Sequence, residues 1–226
     1  MKQKESKNIE LPFYSKGEEI FNMVSHIVGG ALAIAALVLC VIMAAVHGNV
    51  WGVVSGAIYG ASMIILYTMS SLYHGLRPNK AKRVFRVIDH CSIFFLIGGT
   101  YTPYTIGSAL RVHLPGLAWT IFGIIWGAAI LGIVLNAVDL KKFKIFSMIC
   151  YIAMGWCIVI AVRPMVKYFS VGCLVFLGAG GIAYTLGAVL YGISKKKNIS
   201  FMHAVFHLFV VAGSVLHFFS ILFYIM

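Results

Sequence analysis

Apolar residues fill this chain in long blocks separated by short charged patches. From Ile20 to Leu76 there is no Lys, Arg, Asp or Glu, and uncharged runs follow at 90–110, 112–138, 145–162, 168–194 and 198–226. A helix needs about 20 apolar residues to cross a bilayer, so the first block is long enough for two. The pattern predicts helices at about 18–46, 50–75, 86–107, 115–138, 143–163, 168–193 and 199–225. Loops between them are too short for an inserted soluble domain. Residues 1–16 read as a polar, mobile tail and 17–226 as the transmembrane domain. The first apolar stretch begins too late and runs too long for a cleaved signal peptide, and it is read as the first span.

Composition sharpens this. Of 226 residues 61% are hydrophobic and 11% charged, with a mean hydropathy of +0.96. A soluble domain carries roughly a quarter charged residues, so a soluble enzyme is excluded. The net charge of +12 raises nucleic-acid binding, but the placement of the charges answers it. Lys and Arg beside spans stay in the cytoplasm. Four lie in the tail, five follow the second span (Arg77, Lys80, Lys82, Arg83, Arg86), three the fourth (Lys141, Lys142, Lys144) and three the sixth (Lys195, Lys196, Lys197). The opposite side has Arg111, Arg163 and Lys167. Fifteen against three predicts an all-α, seven-helix integral membrane bundle with a cytoplasmic N-terminus and an outside C-terminus. The expected location is the cell membrane. Anionic lipid accounts for the basic face, so membrane lipids are the expected partners and no nucleic acid is required.

Gly52, Gly56 and Gly60, and again Gly123 and Gly127, recur at four-residue spacing, which predicts close helix packing in lipid. Cys40, Cys91, Cys150, Cys157 and Cys173 form no CxxC pair, so neither a thiolate metal site nor a disulfide framework is expected.

Ionisable groups inside a bilayer are costly and mark function. The six carboxylates are Glu5, Glu10, Glu18, Glu19, Asp89 and Asp139. Glu5 and Glu10 fall in the tail and Asp139 in a basic loop, where solvation explains them. Asp89 opens the third uncharged span. His203 and His207 are spaced i, i+4, which sets both imidazoles on one helix face. Alone that pair is a weak signal; depth strengthens it. His203 lies about 9 Å past Lys197 at helical rise, while His74 and Asp89 each lie one turn from the basic loop between the second and third spans. His74, Asp89, His203 and His207 therefore fall in one layer of the inner leaflet. Three imidazoles with an open position fit a catalytic zinc site, where metal generates hydroxide from bound water. The segment His203-Ala-Val-Phe-His207 lacks the Glu of an HExxH zincin, so Asp89 is the candidate base. Ser70, one turn before His74, is the candidate to hold the water or an oxyanion.

The remaining histidines carry weaker readings. His47 and His113 are expected in solvated outer loops, His217 as a hydrogen-bonded core residue about 15 Å deeper than His207, and His90 pointing away from the site. Glu19, Asn22 and His26 read equally as a shell around the ligands or as plain interhelical hydrogen bonding.

The stretches Gly17-Glu18-Glu19-Ile20-Phe21-Asn22 with His26, Ser70-Ser71-Leu72-Tyr73-His74, Asp89-His90 followed by Gly99-Thr100-Tyr101-Thr102-Pro103, and His203-Ala-Val-Phe-His207 together resemble the haemolysin III family. That family is the bacterial branch of the progestin and adiponectin receptor superfamily. The resemblance covers nearly the whole chain. It implies a seven-helix bundle with zinc on His74, His203 and His207, Asp89 contacting the metal through water, and Ser70 close by. The superfamily includes alkaline ceramidases, which hydrolyse lipid amides. Bacterial members look like factors in membrane homeostasis, with lytic activity attributed to some. The long receptor-type N-terminal domain is absent, which argues against hormone sensing.

The leading expectation is a zinc-dependent intramembrane hydrolase of a lipid amide or ester. Its rival is a non-catalytic sensor or homeostasis protein with structural zinc. A transporter fits poorly because the polar groups cluster at one face rather than at the bilayer midplane. A pore-forming toxin also fits poorly as a secreted soluble agent, since this composition cannot dissolve in water without lipid.

Overall fold

The computed structural model describes residues 11–197 and 199–226, the side chains of 194–197 excepted. Glu5, Glu10 and the tail lysines Lys2, Lys4 and Lys7, with the side chains of Lys195, Lys196 and Lys197, lie outside the described residues. Among the described residues there is no strand. The helices are α1 (Lys16–Val46), α2 (Val50–Gly75), α3 (Lys80–Thr105), α4 (Ala109–His113), α5 (Pro115–Trp156), α6 (Val162–Tyr168), α7 (Val171–Lys197) and α8 (Met202–Tyr224), with a 3-10 turn at Cys157–Ala161 between α5 and α6. Six helical stretches are long and apolar enough to cross a membrane, one of them the 54-residue run Pro115–Tyr168.

Helix starts follow side-chain caps. Ser15 and Glu18 form a reciprocal capping box at α1, which satisfies backbone donors that a helix end leaves orphaned. Asn49 caps α2 through Gly52 N, and Asn79 caps α3 through Lys82 N. The Asn79 cap starts α3 at Lys80, six residues before the expected start at 86, and so draws Lys82 into the helix and inward. Asp139 corrects the expected loop between the fourth and fifth spans. It has non-helical dihedrals (φ −158°, ψ 91°), and its Oδ1 accepts from Lys142 N at 3.0 Å. One residue thus ends one limb of α5 and caps the next.

The helices pack in series, α5 on α3, α3 on α2, α2 on α1, α1 on α8 and α8 on α7. The buried stripe of α1 (Asn22, His26, Gly29, Ala33, Ala36, Cys40, Ala44) is small or polar, while Val24, Ile27, Ile34 and Ile42 face outward. An aliphatic exterior over a small, polar interior inverts the soluble pattern and is stable against lipid; this is a membrane protein. The α1–α2 seam uses the expected glycines. A Cβ on Gly60 would meet Leu37 Cα at 2.7 Å, on Gly56 Cys40 Cβ at 3.2 Å, and on Gly52 Ala44 Cβ at 2.9 Å. Gly123 and Gly127 do not pack: a Cβ there would meet nothing within 4 Å. The packing stripe of this limb is Ala118, Ile121, Ile125, Ala129 and Gly132, and the two glycines fall on the other face. All five cysteines are free.

Candidate metal centre

The layer expected from helix depth forms at one end of the bundle. α2 ends in His74 and α8 begins with His203 and His207, and one ligating nitrogen from each lies within 4.8 Å of the other two. His74 and His207 are buried, at 2% exposure each, as is Ser70 at 1%.

α1 orients two of these rings. Glu19 Oε2 sits 2.6 Å from His74 Nδ1. A carboxylate can only accept, so Nδ1–H donates and Nε2 keeps its lone pair. That Nε2 is buried and makes no hydrogen bond, which leaves it available to a cation. Asn22 Nδ2 stands 3.5 Å from the same Nδ1, but a protonated nitrogen does not accept, so the Glu19 bond is the effective one. The Asn22 carbonyl accepts from His207 Nδ1 at 3.3 Å, again freeing Nε2. Acceptors behind ligating imidazoles fix tautomer and ring direction. Three converging imidazoles, two of them oriented from α1 and one offering the buried, unbonded Nε2 of His74, could hold a divalent cation. Glu19 and Asn22 therefore stand behind the His74 and His207 imidazoles. His26 joins them by packing, its ring stacked on His207 at 3.7 Å with 7° between planes.

Glu19 has a second partner, the Lys82 ammonium at 2.6 Å, which also donates to the Leu76 carbonyl at 2.9 Å. Lys82 is only 2% exposed. The sequence reading counted it as a solvated topology signal; the early start of α3 makes it a buried counterion instead. Its spacing of seven from Asp89 placed both on one helix face, and that was the legible sign.

Asp89 is buried near Ser70, His74, Arg86 and His90. It stands outside the group of three converging nitrogens. Ser70 Oγ is buried beside the Asp89 carboxylate. His90 stays at the edge, its Nδ1 2.9 Å from the Arg86 carbonyl and 3.7 Å from Asp89 Oδ2.

Residues 11–15, assigned from sequence to the tail, fold back over the cluster. Tyr14 stacks on His203 at 5.1 Å, and burial together with the Tyr191 and Tyr73 phenols pushes its hydroxyl well above the ordinary range. Phe201 enters α8 in the left-handed region (φ 60°), unfavourable for a side chain with a Cβ. Its N–H donates to Glu18 Oε1 at 2.7 Å, tying the start of α8 to the start of α1. Nothing in the composition singled out Tyr14 or Phe201.

The other histidines sit apart. His217 Nε2 bonds the Leu177 carbonyl at 3.1 Å, the core role expected. His47 and His113 are exposed but not merely solvated: His47 Nδ1 reaches the Met226 carbonyl at 3.1 Å, and His113 stacks on Tyr168 at 4.3 Å.

A family model described as haemolysin-III related matches residues 14–218. The chain is 40% identical over 210 residues to Hemolysin-3 of Bacillus cereus, across 92% of each chain. It is 42% identical over 208 residues to the Hemolysin-3 homolog of Bacillus subtilis (strain 168), across 92% of this chain and 94% of that one. The monocyte to macrophage differentiation factor of Homo sapiens is 25% identical over 197 residues, covering 84% of this chain and 78% of its own. The matched region starts at the tyrosine over the cluster and contains all three histidines, and the chain belongs to the haemolysin-III-related family.

Proposed function

We propose that this protein is a zinc-dependent intramembrane hydrolase of a lipid amide or ester, resident in the cell membrane and acting in membrane homeostasis. The observation that carries the reading is the convergence of His74, His203 and His207 nitrogens within 4.8 Å beside a buried carboxylate and a buried hydroxyl. The break at Asp139 supports counting two spans in Pro115–Tyr168, hence seven in all, and the basic loops flanking the cluster support placing it at the cytoplasmic face with the N-terminus inside.

His74, His203 and His207 would hold the zinc, which when bound would supply Lewis acidity and a water acidified toward neutrality. Asp89 stands off the ligand cluster, where its Oδ can take a proton from the attacking water and return it to the leaving amine or alcohol. Ser70 Oγ can donate to the Asp89 carboxylate or to the substrate oxygen. Glu19 and Asn22 keep the imidazoles aimed. The lytic association in the relatives' names would follow here from released lipid products rather than from a secreted pore.

The rival role is a structural metal tying α2 to α8. Fatty-acid release from N-acyl and O-acyl lipids in vesicles separates the two, with zinc-loaded wild type beside Asp89→Asn. Release by wild type and its loss in a variant that keeps its zinc supports hydrolysis. Equal release by both defeats Asp89 as base, and no release from any lipid class leaves the structural role.

A further inference from the structure

Three phenols that the hydrolysis scheme leaves unused gather at the mouth of the cluster. The Tyr14 ring stacks on His203 with 16° between planes and meets His74 edge-on at 5.7 Å. Tyr73 packs on His74 at 4.5 Å and Tyr191 on His203 at 5.1 Å. The Tyr14 and Tyr191 hydroxyls lie within electrostatic reach of each other. Arg86 lies within electrostatic reach of all three phenols, and Asp89 within reach of Tyr73 and Tyr191.

Packing alone does not explain this choice of side chain. The residue before Tyr14 is Phe13, which is 95% exposed, and apolar burial would favour turning the phenylalanine inward. The chain instead inserts the ring that carries a hydroxyl. The position is also built, because the Ser15–Glu18 capping box follows at once and Glu18 is held to Phe201.

Resting on the metal-centre reading above, we propose that Tyr14 is a substrate-contacting donor. Its O–H, beside that of Tyr191, hydrogen-bonds the carbonyl or carboxylate oxygen of an acyl group bound beside His74, His203 and His207. The ligand class is a fatty acyl amide or ester and the fatty acid it releases.

The test needs no turnover. Full-length protein in lipid nanodiscs is loaded with Co2+, whose visible absorption reports coordination, and titrated with octanoate as the probe. Tyr14→Phe keeps the stacking and removes the donor. The expected result is an unchanged cobalt content and spectrum before octanoate, and an octanoate affinity about ten- to a hundredfold weaker, the scale of a hydrogen bond to a charged group. Tyr191→Phe weakens it less. Equal octanoate affinity in wild type and Tyr14→Phe overturns the proposal and leaves the metal centre standing. So does a wild type that binds cobalt but no octanoate, or a Tyr14→Phe cobalt spectrum already altered without octanoate. A wild type that takes up no cobalt overturns both readings.

Discussion

Replacing Glu19 with Gln removes the one group that serves both a ligand histidine and a buried lysine. In the wild type its carboxylate lies 2.6 Å from His74 Nδ1 and 2.6 Å from Lys82 Nζ. The Lys82 side chain is 3% exposed and that of Glu19 20%. Removing one partner of a buried pair costs about 3–5 kcal/mol, because the surviving charge is left uncompensated. The partial exposure of Glu19 puts this case at the lower end, about 3 kcal/mol for Glu19→Gln. Lys82→Met leaves the more accessible partner and costs less. In the double variant no buried charge remains, so most of the stability returns. Metal affinity behaves differently: turning the charged acceptor behind His74 into a neutral amide weakens the support of that imidazole, a change on the scale of about 10–100-fold for groups behind a metal-binding His, and Lys82→Met does not restore it. Thermal unfolding in detergent and chelator competition for zinc, run on all four proteins, read the two quantities separately. Strictly additive stabilities across the cycle, or wild-type zinc affinity in Glu19→Gln, would refute the dual role.

Other substitutions probe the frame. Gly60→Ala drives a Cβ to 2.7 Å from Leu37 Cα and should destabilise by about 1–3 kcal/mol, whereas Gly123→Ala, with nothing within 4 Å, should be neutral or gain up to about 1 kcal/mol; thermal unfolding of the pair checks the contrast. Ser214→Ala strips the common partner of the Tyr67 and Tyr184 hydroxyls, both 2.7 Å from its Oγ, and should cost about 1–2 kcal/mol in the membrane interior, measured by the same assay. Asp139→Ala loses the cap on Lys142 N and should cost about 1 kcal/mol, with Asp139→Asn near wild type. Stripping zinc with a chelator should lower the melting temperature, since zinc at about 100 times its dissociation constant stabilises by about 2.7 kcal/mol; the His74→Ala protein should show no such shift.

The helical bundle and the three converging histidines were legible because both rest on short-range periodicity. Charge-free blocks mark helices, and the i, i+4 spacing of His203 and His207 with matched depths for His74 and Asp89 fixes a layer without any knowledge of packing angles. What escaped depends on contacts between distant segments. Lys82 looks solvated until the Asn79 cap starts α3 early and turns it toward Glu19. Tyr14 sits in a stretch whose polarity reads as tail, and only the Glu18–Phe201 bond and the stacking on His203 hold it over the site. Gly123 and Gly127 share the spacing of Gly52, Gly56 and Gly60, yet spacing names a face without saying whether a neighbour occupies it. The Asp139 break was foreseen as a loop, but a single extended residue with a capping side chain needs less chain than a loop does.

The most direct test of the metal centre is elemental analysis of the full-length protein purified without chelators, wild type beside His203→Ala/His207→Ala. The converging imidazoles predict about one zinc per chain in the wild type and none in the variant; a metal-free wild type, or a variant that keeps its zinc, would contradict the assignment of these histidines as the ligands.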